Sequence, residues 1–255
     1  MSPEAAPLLM LIHPDWPAPA NIRAVCTTRA GGVSQSPWAS LNLGGHVGDE
    51  PAHVMQNRKR LAVACGLSPG AFGWLNQIHG TEVADLSAGG ITGIPEADAS
   101  FTRATGRACV ILTADCLPVI LCDRNGTTVA SAHAGWRSLC GGVLENLVVS
   151  MGLPGNTLMA WLGPAIGPKA FEVGLEVRAA FIAQDLQAEV AFSSLGAREG
   201  YYMADIYSLA RQRLEALGVK NISGGGLCTV ADSQRFYSYR RDGQTGRMAT
   251  VIWKT

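Results

Sequence analysis

The chain is expected to fold as an α/β (α+β) domain with mixed sheets, on three observations. Residues 108–122, A-C-V-I-L-T-A-D-C-L-P-V-I-L-C, are apolar but twice interrupted, and D-R-N-G at 123–126 follows as a hairpin signal. Leu139, Val143 and Leu147 recur every four residues, and Ile206, Leu209, Ala210 and Leu217 share one helical face. No repeat and no low-complexity linker divides the sequence, so residues 1–255 are read as a single domain, with 1–20 as an N-terminal tail.

The elements follow in order. I-R-A-V-C-T-T at 22–28 reads as a strand, broken by Arg29-Ala30-Gly31-Gly32 and a long polar, glycine-rich loop. Pro51 suits a first helical position, and Val54, Leu61 and Cys65 share a face that ends at Gly66. Strands are expected at 72–78, 81–86, 108–113, 117–122 and 127–133, the last two joined by the hairpin turn. Helix is expected at 137–150, strand at 158–162, and helix at 174–184 and 205–217, with Asp205 as N-cap and Gly218 as stop. The end, from Phe236 to Trp253, reads as two strands around a turn.

Composition narrows the function classes. Of 255 residues, 47% are apolar and 16% charged, which suits a globular chain with a substantial core. Twenty basic residues balance twenty acidic ones without a basic run, so the electrostatic footprint of a nucleic-acid binder is missing. Seven cysteines, an odd number without a C-x-x-C pair, argue against a disulfide framework and a zinc ribbon. They point to a reducing compartment with most thiols acting as small core hydrophobes. Leu8–Ile12 is too short for a signal peptide, and Thr113 and Asp115 interrupt the longest apolar stretch. A cytoplasmic protein without a membrane span is the expectation.

Chemistry concentrates at a few breaks. His79 closes F-G-W-L-N-Q-I-H-G, His133 closes T-V-A-S-A-H, and Cys116 stands between them in T-A-D-C-L-P-V. Each is followed, at once or soon after, by a chain breaker, and residues at the ends of strands in one sheet can converge. A His₂Cys set suits Zn²⁺ with an open fourth position, and it suits copper too. Alternatively Cys116 is a nucleophile with a histidine base, or the three residues are simply packed in the fold. Asp115 could orient a ligand histidine or carry protons. Arg137, at an expected helix start, and Arg29, beside two glycines, together could hold phosphate; each alone could equally be a surface arginine. Neither a dinucleotide fingerprint nor a P-loop occurs.

T-T-R-A-G-G-V-S, S-L-N-L-G-G-H-V-G-D, N-Q-I-H-G, T-A-D-C-L-P-V, A-H-A-G-W-R and Y-S-Y-R-R-D-G-x-T-G-R run in order from residue 27 to 247. Together they resemble the bacterial purine nucleoside phosphorylase family, whose members also carry the names laccase-domain protein, polyphenol oxidase and peptidoglycan editing factor. One difference is S-L-C-G-G after G-W-R, where the family pattern has glycine directly. The resemblance implies a layered α-β-β-α sandwich and metal ligands at His79, Cys116 and His133. It implies phosphorolysis of adenosine, inosine and methylthioadenosine, with deamination of adenosine. Arg29, Asn42 and Arg137 are then the expected substrate- or phosphate-binding residues, and Cys116, Asp115 and His133 the expected catalytic ones. Purine nucleosides and phosphate would be the small-molecule partners. The family's other names imply two alternatives: a cysteine-dependent amide hydrolase acting on cell-wall precursors, and a copper-dependent polyphenol oxidase. The zinc deaminase pattern H-x-E with P-C-x-x-C is missing, so deamination here would be an independent solution.

Overall fold

The computed structural model describes residues 9–87 and 93–255. Near-continuous buried runs in its central strands build two sheets stacked face to face. The first holds β1 (Leu11–Ile12), β2 (Ile22–Thr27), β3 (Phe72–Gly73), β6 (Ala108–Thr113) and β14 (Met248–Lys254), in the order β1-β2-β14-β6-β3. The second holds β4 (Val83–Asp85), β5 (Ala99–Thr102), β7 (Leu117–Asp123), β8 (Val129–Ala134), β9 (Leu158–Leu162) and β13 (Asn221–Gly224), in the order β13-β9-β7-β8-β5-β4. Both are mixed: β7 pairs antiparallel with β8 and β9, while β13 with β9, β4 with β5 and β3 with β6 are parallel. A small third sheet joins β10 (Glu172–Gly174), β11 (Phe192–Ser193) and β12 (Tyr201–Ala204).

Because successive strand residues point to opposite faces, each central strand feeds two cores. Cys26, Cys109 and Ile252 of the first sheet meet Ile120, Cys122, Val129 and Trp161 of the second. Their neighbours Val25, Val110 and Val251 turn outward onto Leu61 and Ala62 of α1 (Pro51–Cys65). On the far side, Val119, Leu121 and Ala132 pack on α2 (Trp136–Gly141), α3 (Val143–Met151), α4 (Leu175–Gln184) and α5 (Ile206–Ala216). The result is an α-β-β-α arrangement in one domain. Cys26, Cys109 and Cys122 serve as small buried hydrophobes, and burial pushes each thiol up to about 12, which leaves them unreactive.

Several elements lie where expected. α1 starts at Pro51 and ends at Gly66, whose φ of 66° needs no Cβ penalty there. The D-R-N-G turn is held by Asp123, whose carboxylate accepts from the amides of Asn125, Thr127 and Thr128. Asp205 caps α5 by accepting from the amides of Tyr207 and Ser208.

Others differ. The helix expected at 137–150 is two helices, because Gly142 takes φ 99° between them. The strand expected at 72–78 is only Phe72–Gly73, and that at 81–86 only Val83–Asp85. The expected C-terminal strand pair is corrected to a short helix, α6 (Tyr239–Asp242), and the single strand β14. Ser238 caps α6 by accepting from the Arg241 amide, and this helix-start chemistry outweighs the aromatic content that suggested a strand. β5 went unforeseen because A-S-F-T is only four residues long and half of it is hydroxylated, so it does not register as the longer apolar runs of β6 and β7 do. Within the segment read as a tail, Leu11–Ile12 pairs with β2, and residues 1–8 lie outside the described part.

Candidate functional site

One buried carboxylate organises the site. Asp98 precedes β5 and is fully buried. Its Oδ1 accepts from the His79 amide at 3.0 Å and lies 2.7 Å from His133 Nδ1. Its Oδ2 accepts from the amides of Ile78 and Gly80 at 3.1 and 2.7 Å, and its backbone carbonyl accepts from the His133 amide at 2.7 Å. Asp98 therefore places both histidines at once. His79 is thus not at a strand end: it sits in a loop pinned by Asp98, with φ 60°. Gln77 ties the same loop to β6 through a two-way amide pairing with Leu112.

Cys116 stands just before β7, and His133 is the penultimate residue of β8. The ligand atoms of His79, Cys116 and His133 all lie within 4.8 Å of one another. Cys116 Sγ is 3.9 Å from His79 Nε2, and the two imidazole centroids are 4.7 Å apart. Gly135, in A-H-A-G-W-R, makes this approach possible: a Cβ there would stand 3.0 Å from Cys116 Sγ and 3.2 Å from His79 Cδ2. Burial grades from exposed His79 to buried His133.

These donors fit a soft metal ion. Zinc bonds of about 2.0–2.1 Å to nitrogen and 2.3 Å to sulfur put tetrahedral ligand atoms roughly 3.3–3.8 Å apart. The observed spacing needs only a small closure. A histidine ligand that presents one nitrogen to the metal normally gives the other to a carboxylate, as His133 does to Asp98. Three protein ligands leave a fourth position open.

The metal-free electrostatics are also defined. Burial disfavours the Cys116 thiolate, but His133, by charge and hydrogen bond, and then His79 outweigh it and bring the thiol to about 6. Burial likewise disfavours charge on His133, but Cys116 and Asp98 raise it to about 9. The metal-free site is a thiolate–imidazolium pair backed by a carboxylate. Metal-stripped protein should therefore be alkylated by iodoacetamide at Cys116 with a half-maximal rate near pH 6. An ordinary cysteine reaches that point near pH 8.5. The rate falls as acid reprotonates the thiolate, and peptide mapping across pH checks it.

Asp115 does not orient a histidine; Asp98 has that place. Asp115 Oδ1 accepts from the Thr229 hydroxyl at 2.6 Å and Oδ2 from the Arg240 amide at 2.7 Å, while its carbonyl accepts from the Ile166 amide. Its φ is 95°. It ties the Cys116 turn to α6, which carries Tyr239 and Arg240.

The three expected anion residues are spread out. Arg137 is exposed, stacks on Trp136 and lines a cavity that includes Cys116 and His79. Asn42 is buried and acts through its neighbours: its Oδ1 accepts from the amides of Gly44 and Arg247. Arg29 is not brought to the three ligands. Its side chain donates to the carbonyls of Ala39 and Ser233, lies over Tyr237, and lines a separate surface depression.

His79, Cys116 and Tyr239 line two cavities. One, of about 370 Å³, adds the polar groups of His46, Gln77, Thr113 and Arg247. The other, of about 270 Å³, adds Trp136, Phe171 and Ile206, with Arg137 and Arg240. Sequence reasoning missed Asp98, His46, Tyr239, Arg240 and Arg247. His46, Tyr239 and the two arginines lay inside the motifs already quoted, and Asp98 is a charge entering a short buried strand, the same signal that singled out Asp115.

A family model described as multi-copper polyphenol oxidoreductase laccase matches residues 23–255. A purine nucleoside phosphorylase of Pseudomonas aeruginosa is 55% identical over 242 residues, 95% of this chain and 97% of that one. The purine nucleoside phosphorylase YfiH of Escherichia coli K12 is 53% identical over 247 residues, 95% and 98% of the two chains. The crystal structure of a Neisseria meningitidis DUF152 protein superposes with TM-score 0.91 at 50% identity, covering 96% of this chain and 98% of that one.

Proposed function

The chain belongs to the family described as multi-copper polyphenol oxidoreductase laccase, and from that premise we propose that it is a metal-dependent purine nucleoside phosphorylase. One observation carries the reading. Two histidines and a cysteine converge where a polar cavity with a cation meets an aromatic one, in a chain about half identical to proteins named for that activity.

The division of the space suits the substrates. Arg247 and His46 hold inorganic phosphate in the polar cavity, and Arg137 and Arg240 border the aromatic one. Trp136, Phe171 and Tyr239 receive the purine. Phosphate oxygen attacks C1′ of the ribose, the glycosidic bond breaks toward the base, and ribose 1-phosphate and free purine result. The transition state carries positive charge on the sugar, so an anion held beside it is the main electrostatic aid. Arg247 is half-buried, which strengthens its field relative to an arginine in water. Burial and the charges of Arg247 and Arg58 lower the His46 pKa, so His46 serves as a neutral hydrogen-bond donor beside the arginine. Asn42 fixes the Arg247 backbone.

His79, Cys116 and His133 would hold zinc, or copper, with His133 offering the nitrogen that its Nδ1 contact to Asp98 leaves free. When bound, such an ion supplies Lewis-acid polarisation and water activation. The same site would support adenosine deamination, with the purine C6 turned toward the three ligands. Arg247→Ala should raise KM for phosphate by about tenfold or more while leaving metal content unchanged; initial rates at varied phosphate read this. An unchanged KM would remove Arg247 from the phosphate site.

A second reading has its own support. Asp98, His133 and Cys116 form a carboxylate–imidazole–thiolate relay with the ordering of a cysteine hydrolase. Metal-stripped protein that cleaves a cell-wall precursor peptide would establish that alternative. The multicopper activity in the family description lacks donors here. The chain has five histidines, and one ligand cluster forms among the described residues.

A further inference from the structure

The segment Leu43–His46 has two sides. His46 lines the reaction cavity, while Gly45 lines a separate hollow of about 390 Å³. One wall of that hollow is a single stripe of α1: Pro51, Val54, Met55, Arg58 and Lys59 recur at i, i+3, i+4, i+7 and i+8. Trp74 and Phe72 form the opposite wall, their rings stacked 5.7 Å apart at 15°. An ordinary core stripe would be apolar throughout. This one ends in two neighbouring cations, and the lining contains no acid.

Arg58 makes the hollow specific. Its guanidinium lies over the Trp74 ring at 3.9 Å from the centroid. Nε and Nη2 donate to the Leu43 carbonyl at 3.0 and 2.8 Å, which locks the plane of the group. Among the described residues, Nη1 of Arg58 and Nζ of Lys59 have no hydrogen-bond partner. Two adjacent cations without an acid repel each other and favour an anion. The flat guanidinium–indole stack offers a planar surface that an aromatic ring can extend. The volume falls in the range of small-molecule sites.

We infer that this hollow binds a planar aromatic anion: a ring system packed between Met55 and the Arg58–Trp74 stack, with its phosphate, sulfonate or carboxylate on Arg58 Nη1 and Lys59 Nζ. Inorganic phosphate alone would leave the apolar wall wet, and a neutral aromatic would leave the cations unpaired. Gly45 in the lining of this hollow is the chain neighbour of His46 in the lining of the reaction cavity. Leu43 also donates to the Arg247 carbonyl, so the hollow adjoins the residues that face the substrate.

The test uses the full-length protein and 8-anilinonaphthalene-1-sulfonate, read by fluorescence. One saturable equivalent is expected, weakened about tenfold or more by Lys59→Glu and by Met55→Glu. Both positions are exposed, so neither substitution threatens the fold. His79→Ala should leave the titration unchanged, which separates this hollow from the reaction cavity. N-phenyl-1-naphthylamine, the same rings without the sulfonate, should bind at least tenfold more weakly. Displacement of the probe by AMP or by 1-naphthoate supports the inference and tells a phosphate ligand from a carboxylate one. Displacement by neither, equal binding of the uncharged analogue, or indifference to both substitutions overturns it. None of these readings depends on turnover, so they stand or fall apart from the phosphorylase reading.

Discussion

Cys116→Ala protein should keep its fold and lose phosphorolysis by about 10³-fold or more in kcat/KM. Cys116 is half-exposed at the lip of β7, so the substitution deletes a thiol and leaves the sheet core intact. What disappears is one of three ligand atoms within 4.8 Å of one another. Two imidazoles alone hold a zinc-class ion weakly, so metal content measured by elemental analysis should fall along with activity. The assay is chromatography of products from adenosine and phosphate, run on native protein and on the variant prepared identically. Host phosphorylases are an expected contaminant, and only product made by the native protein and absent from the variant counts. Adenine reports phosphorolysis and inosine reports deamination, so their ratio ranks the two. Equal product from both proteins would sink the phosphorylase reading at this site. Full loss of activity in metal-stripped native protein, restored by zinc, separates it from the cysteine hydrolase.

Asp98→Ala should be the most damaging single change at the site for stability. It removes the acceptor for the amides of Ile78, His79 and Gly80 and for His133 Nδ1. Breaking a buried charge network by deleting one partner costs about 3–5 kcal/mol, which for a chain of this size lowers the melting temperature by roughly 6–20 °C. Metal affinity should fall by at least about 10–100-fold, since the ring of His133 loses the partner that fixes its tautomer. Asp98→Asn keeps the shape but turns one acceptor into a donor, and should lie between the two. Acid titration gives an independent check. Burial works against the Asp98 charge, but hydrogen bonds from His133, Gly80 and Ile78 and the His133 charge outweigh it and hold the carboxyl below its usual range. A depressed carboxyl stabilises the fold fully above its unfolded value, near pH 4, and loses that contribution as pH falls through the folded value. Native protein should therefore lose stability below pH 4 more steeply than Asp98→Asn. Parallel acid curves for the two would show that Asp98 is not the charged organiser of the site.

Much of the fold was legible because it rests on local rules. α1 begins at a proline and ends at a glycine, and the β7–β8 hairpin turns on D-R-N-G. The β9 strand falls at Leu158–Leu162, where a short apolar run was read. Elements too short to carry a local signature were lost: β5 and β10 to β13, each two to four residues long. α6 was misread because aromatic residues suggest strands, while a single serine at its start had the deciding hydrogen bond.

For the site, the division follows sequence distance. Residue type and the breaks after His79, Cys116 and His133 were enough to pick out three soft donors, and the ordered motifs around them to suggest a purine enzyme. Those are properties of short stretches. Which groups stand beside the donors depends on β5, β8 and β14 lying in particular sheets, and no stretch encodes that. Asp98 is 35 residues from His133 and reaches it because β5 pairs with β8. Asp115 adjoins Cys116 in sequence yet turns its carboxylate to Thr229 and Arg240, more than a hundred residues away. Arg29 and Arg137 looked alike in sequence, but only Arg137 lines a cavity with His79 and Cys116. Side-chain type fixes which chemistry is available; only the packing of distant strands decides which carboxylate and which arginine can take part in it.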